Sequence, residues 1–138
     1  MKRSLAVVLP LLLAVPLAAG DAPKAKKPRF DVRVTPRMAF SPVNVLVTAE
    51  LVGGDDVEEL YCPEVEWEWG DGGKSVQESD CPPYEPGAKV ERRFSSEHEY
   101  RLSGNYPIKV TLRRDGRSLV SNNVTVTVRP GLGDQTRE

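Results

Sequence analysis

Histidine is almost missing from this chain and cysteine is scarce, with one His and two Cys in 138 residues. Two thiols and one imidazole cannot fill a four-ligand zinc site by themselves. A single histidine also means that any nucleophile–base–orienter arrangement has to be built on His98. Neither sign of charge is in excess: 19 basic residues face 20 acidic ones, for a formal net charge of −1. That balance excludes a nucleic-acid binder working through a general positive field. After the first twenty residues there is no long apolar run and no window with a convincing helical stripe, so neither a membrane span nor a helical bundle is expected there.

What is present divides the chain into four parts. Lys2 and Arg3 precede an apolar run from Leu5 to Ala19, interrupted by Pro10 and Pro16 and closed by Ala18-Ala19-Gly20. This order reads as a cleaved signal peptide over residues 1–20, with cleavage before Asp21 and a secreted or periplasmic product. No cysteine follows the run directly, so a lipoprotein route lacks its attachment atom. Removing Lys2 and Arg3 with the signal takes the formal charge from −1 to −3. Residues 21–29 (DAPKAKKPR) carry four basic groups and two prolines, which predicts a solvated, flexible leader. Residues 130–138 predict a disordered tail. Residues 30–129 remain for one domain.

That domain alternates with period two. Phe30, Val32 and Val34 alternate with polar neighbours, as do Val43, Val45, Val47, Ala49 and Leu51. Val65, Trp67 and Trp69 alternate with glutamates. Val90, Arg92 and Phe94 form a weaker set. Tyr106, Ile108, Val110 and Leu112 are followed by Val124, Val126 and Val128. Such alternation puts one face on a core and the other in water. Six or seven short strands at this spacing predict an all-β antiparallel sandwich.

The two hairpins make definite register predictions. A two-residue turn at Asp71-Gly72 pairs residues whose numbers sum to 143, so Trp69 faces Lys74, Trp67 faces Val76 and Cys62 faces Cys81. Opposed positions lie near the reach of a disulfide, and an exported chain sits where disulfides persist. A structural Cys62–Cys81 bridge is therefore expected. At Asp115-Gly116 a plain two-residue turn would bring Ser121 and Asn123 onto the core face. Pairs summing to 232 keep the valines inward, which predicts an odd-length turn or a bulge with positive φ at Gly116, and turns Asn122 inward, where it needs a hydrogen bond.

Trp67-Glu68-Trp69-Gly70-Asp71-Gly72 (WEWGDG) resembles the WDFGDG signature of polycystic kidney disease (PKD) domains. His98-Glu99-Tyr100, followed by Gly104-Asn105-Tyr106-Pro107-Ile108-Lys109-Val110-Thr111-Leu112, is similar to that family's HxY…GxYxVxL segment. The resemblance covers residues 30–129. It implies an immunoglobulin-like β-sandwich of about seven strands that contacts proteins or polysaccharides and performs no chemistry. It also gives Trp67, Trp69, Gly70, Asp71, Gly72, His98, Tyr100, Gly104 and Tyr106 structural roles, with His98 hydrogen-bonding near the start of the Tyr106 strand. Glu68 and Trp69 stand where the family has aspartate and phenylalanine, and the stretch from Gly73 to Glu97 is longer than expected.

The remaining candidates each have a plainer reading. Ser95 and Ser96 neighbour His98 but diverge along one strand. Glu66 and Glu68 share an outward face at roughly the separation of paired glycosidase carboxylates, yet a flat solvated face offers no cleft to raise one pKa. Asp55, Asp56, Glu58 and Glu59 form an acidic loop of oxygen donors suited to calcium, without an EF-hand spacing. Asp71 reads as a turn former whose carboxylate caps backbone amides. One of Trp67 and Trp69 is expected to plug the core, the alternative being an exposed platform for sugars. Asn123-Val124-Thr125 satisfies the N-glycosylation sequon on an outward position.

The expectation is therefore a secreted or periplasmic binding module, monomeric, with no catalytic residue, cofactor or metal. Its partner is an unidentified protein or polysaccharide, with nucleic acid excluded. Recognition falls to the loops and to the segment around Cys81–Gly87, where Tyr84 is expected as an exposed aromatic between Pro83 and Pro86. The alternative is a structural or adhesion component of the envelope that associates through its edge strands.

Overall fold

The computed structural model describes Gly20 and residues 27–133. The expected signal peptide (Gly20 apart), residues 21–26 of the leader and residues 134–138 of the tail lie outside the described residues. Eight strands follow in order: β1 Arg29–Thr35, β2 Met38–Phe40, β3 Val43–Val52, β4 Glu64–Glu68, β5 Lys74–Gln77, β6 Arg93–Tyr100, β7 Gly104–Arg114 and β8 Arg117–Arg129. They build one sheet in the order β1-β3-β6 and a second in the order β2-β8-β7-β4-β5. All pairings are antiparallel except β2 with β8.

The alternating residues do what their period demands. In β3, Val45, Val47, Ala49 and Leu51 are buried, facing Ile108, Val110, Leu112 and Val126 of the other sheet within one apolar core. Phe30 meets Phe94 edge to face at 6.2 Å inside the three-stranded layer. Of the weaker set only Phe94 lies in a strand. Val90 precedes β6, buried, with its N–H donating to an Asp56 carboxylate oxygen at 3.3 Å. Two strands, β2 and β5, have no counterpart in the alternation, because three or four residues with mostly exposed side chains carry no pattern.

The β7–β8 register follows the expected pairs. Leu112 faces Val120, Ile108 faces Val124 and Tyr106 faces Val126, and the ladder shifts by one residue between Leu112 and Arg113. The irregularity is a bulge, and the turn itself stays two residues long, with positive φ at both Asp115 (50°) and Gly116 (75°). Asn122, expected to turn inward, stays largely exposed, but it makes the hydrogen bond expected of it and ties the layers together, donating from Nδ2 to the Phe30 carbonyl at 2.8 Å.

The β4–β5 hairpin corrects the expected register. Trp67 faces Ser75, Glu66 faces Val76 and Glu68 faces Lys74, one residue off the prediction. The Trp69 N–H donates to the Gly73 carbonyl at 3.0 Å, so the turn is the three-residue loop Gly70-Asp71-Gly72. Two glycines at φ 80° and 91° make that loop available. The disulfide forms nevertheless, with Cα atoms of Cys62 and Cys81 6.0 Å apart. Both cysteines lie beyond the ladder, which ends at Val65 and Gln77; an extra residue on the β5 side and a positive φ of 50° at Cys62 restore the match. At the far end, the packed body reaches into the segment read as a tail: Gly131 is buried and its N–H donates to Ser41 Oγ at 3.0 Å.

Candidate functional site

The WEWGDG and HxY residues converge. Parity turns Trp67 of β4 and Trp69 just past its end inward, and both are fully buried, so neither serves as an open sugar platform. Their rings stack at 5.9 Å. Trp69 then lies flat on His98 of the opposite sheet, 4.5 Å away and 5° from parallel. His98 meets Tyr100 edge to face at 4.8 Å, and Tyr100 stacks on Tyr106 at 4.2 Å. A column of five aromatic rings thus crosses from one layer to the other and back. Its polar edges are engaged: Trp69 Nε1 donates to Ser75 Oγ at 2.9 Å, Tyr100 donates to the Trp69 carbonyl at 2.6 Å, and Tyr106 donates to the Leu102 carbonyl at 2.7 Å. The exception is Trp67 Nε1, buried with no acceptor.

His98 corrects its expected role. Its Nε2 sits 2.7 Å from Asp71 Oδ2, so it holds the β4–β5 turn and not the start of β7. The other Asp71 oxygen accepts the Gly73 N–H at 2.8 Å, the capping role read from the sequence. Burial by itself pushes the Asp71 carboxyl up, but the bonds from His98 and Gly73 and the charge of His98 outweigh it and hold it below the usual range. Burial pushes the Tyr100 hydroxyl strongly up, with the Asp71 charge adding to it, so this phenol stays protonated. Gly70 completes the cluster: a Cβ there would stand 2.6 Å from the Pro107 carbonyl oxygen, so the turn can lie on β7 only with glycine. At Gly104 a Cβ would press on the Tyr106 ring at 3.1 Å.

The second cluster lies at the other end of β4. Cys81 is bonded to Cys62, and beside it Tyr61 donates to the Pro82 carbonyl at 2.8 Å. Tyr84 is half-buried and not the exposed ring expected, because it packs edge to face on Tyr61 at 5.3 Å, while Pro83 and Pro86 are exposed. Arg114 supports the arrangement from β7, donating to the Tyr61 carbonyl at 2.7 Å. The structure therefore joins Cys62, Cys81 and Tyr84, and keeps them apart from the His98 column. Tyr61 was missed as a candidate; its only signal is an aromatic residue next to Cys62, mirrored by Tyr84 three residues after Cys81.

The remaining acidic candidates are dispersed or paired. Glu66 is not a freely solvated group on the outer face: it is 7% exposed, 2.9 Å from Arg113 and 3.1 Å from Lys74. Burial by itself raises its pKa, but the bonds and charges of these two cations outweigh that and leave it below the usual carboxylate range. Glu68 lies 3.7 Å from Lys109. In the acidic loop, Asp56 turns to Arg92 at 3.2 Å, and Arg92 also binds the Gly53 carbonyl at 2.8 Å. Among the described residues no three metal-ligating side chains converge. Asn123 is exposed, opposite Lys109. Ser95 is exposed and Ser96 points the other way.

No family model and no curated protein matches the chain. Among solved structures, it is similar to the PKD domain of an M14-like peptidase from a Thermoplasmatales archaeon, with 18% identity, a TM-score of 0.50, and coverage of 78% of this chain and 99% of that one. It is also similar to the PKD1 domain of the Vibrio cholerae metalloprotease PrtV, with 14% identity, a TM-score of 0.45, and coverage of 75% and 98%. The two-sheet architecture, the disulfide and the first of these likenesses agree: the fold is that of a PKD-like, immunoglobulin-like β-sandwich.

Proposed function

We propose that this chain is an exported recognition module with no chemistry of its own, which meets a protein partner through the segment from Cys81 to Gly87. The observation that carries this reading is the propping of Tyr84 against Tyr61 beside the disulfide, with Pro83 and Pro86 exposed on either side. Prolines and a disulfide restrict the free segment, so little conformational entropy remains to be lost on binding. Tyrosine and proline together present an amphipathic contact surface. Burial of both tryptophans favours a protein over a polysaccharide, since stacking on sugars needs an open aromatic face. His98 is engaged in holding a turn, by the Asp71 bond and by its flat contact with Trp69, which supports a positioning role over a catalytic one. Export is supported by the order of residues at 1–20 and by the disulfide, a bond that persists in oxidising compartments.

A photo-crosslinking residue placed at 84 tests this reading in the producing cell. Discrete protein adducts from position 84, absent when the same group replaces the exposed Arg33 on β1, are the expected result. Equal labelling from both positions refutes it.

A further inference from the structure

β5 is the outer strand of the five-stranded sheet, and every residue in it is exposed. The hydrogen bond from Trp69 N–H to the Gly73 carbonyl fixes the phase of its backbone. In an antiparallel pair, residues alternate between those that exchange hydrogen bonds with the neighbour and those whose groups point away. With 69 and 73 bonded, Ser75 and Gln77 direct their main-chain groups to β4. Lys74 and Val76, and by the same alternation Glu78 just past the strand, direct theirs to the open edge.

Those three outward residues are self-complementary. When a second copy of the edge is laid antiparallel with the two-fold axis through Val76, Val76 meets Val76 of the other copy. Lys74 then meets Glu78, and Glu78 meets Lys74. Val76 is 50% exposed, an apolar side chain in an otherwise polar edge. Moving the axis to Ser75 sets Lys74 against valine, and moving it to Gln77 sets Val76 against Glu78. Only the axis at Val76 places apolar on apolar and opposite charges together, in phase with the free N–H and C=O groups. We infer that this chain pairs with a second copy of itself through the β5 edge, joining two five-stranded sheets into one continuous sheet. Lys74 guards the edge against strands of other composition, as edge lysines do, and a facing Glu78 removes that guard. Glu66, which Lys74 contacts at 3.1 Å, keeps Arg113 as its partner. The contact is short, so the dimer is a reversible one.

Sedimentation of the purified protein from about 10 µM to about 1 mM, where small interfaces assemble, is expected to show mass rising toward the dimer. Glu78→Lys sets lysine against lysine and is expected to weaken association at least about tenfold. Lys74→Glu does the same with glutamates. A one-to-one mixture of the two variants restores association, because each then faces its opposite. Glu78 is exposed and outside the strand, so Glu78→Lys reports on the contact even if Lys74→Glu disturbs the fold through Glu66. A wild-type monomer at every concentration, or unchanged association of Glu78→Lys, overturns the inference.

Discussion

Gly70 and Gly72 flank the same aspartate at nearly the same φ, yet their surroundings differ. A side chain at Gly72 meets nothing within 4 Å, whereas one at Gly70 meets the Pro107 carbonyl at 2.6 Å. Gly72→Ala is therefore expected to cost only the left-handed backbone strain of a non-glycine residue, about 1 kcal/mol. Gly70→Ala adds displacement of β7 and is expected to cost at least about 3 kcal/mol. Urea unfolding of the two variants checks the difference, and equal losses would mean that the turn does not lie on Pro107. At this scale the sequence shows residue types well and partners badly. Asp71 is legible as a turn former because its effect is local. Its bond to His98 spans 27 residues, and nothing in the local pattern points to it. Trp67 and Trp69 share a face by parity, but parity does not tell that one indole N–H finds Ser75 and the other finds nothing.

At the scale of elements, the segment between β5 and β6 has no ladder of its own and depends on a few anchors: the disulfide, the Tyr61 bonds, the Val90 contact with Asp56 and, at its end, the bonds of Arg92 to Gly53 and Asp56. Replacing both cysteines by serine is expected to lower stability by about 3 kcal/mol on the chain-entropy account of a loop this size. Amide exchange is expected to rise between residues 78 and 88 and to remain slow in β7 and β8. Rapid exchange throughout the chain would assign the bridge to the whole core. The hairpins show where sequence reasoning reaches. The β7–β8 register is legible because valines at 124, 126 and 128 allow only one inward alignment. The β4–β5 register is not, since Lys-Ser-Val-Gln reads alike on both faces and two glycines allow a turn of two residues or of three. The cysteine pairing was right although the register behind it was one residue out, because the bridge lies past the end of the ladder.

For the molecule as a whole, two hydrogen-bonded carboxylates, the buried Glu66 and the more exposed Asp71, set the response to acid. Asp71 and Glu66 both have folded pKa values below their ordinary ones. A depressed carboxylate contributes stability that is in full force above its unfolded pKa and is lost as pH falls through the folded value. Unfolding free energy is therefore expected to stay level from neutral to about pH 5 with respect to these groups and to decline below it. The combined Asp71→Asn and Glu66→Gln variant is expected to decline less steeply in urea titrations at stepped pH; an unchanged slope would remove both groups from the account. The two-layer body was the most legible level, since alternation in β3 and β7 needs only a core to face. The crossing of the chain between layers was not legible: after β1 it spends three residues, Met38–Phe40, in the other sheet before returning as β3. That detour has a mechanical meaning. β2 runs parallel to β8 and is joined to it by bonds from Thr127 N–H to the Arg37 carbonyl and from Ser41 N–H to the Arg129 carbonyl, both 2.9 Å. Tension applied through the two ends of the domain pulls these parallel strands lengthwise past each other, so their bonds must yield together, whereas a hairpin pulled open at one end surrenders its bonds singly.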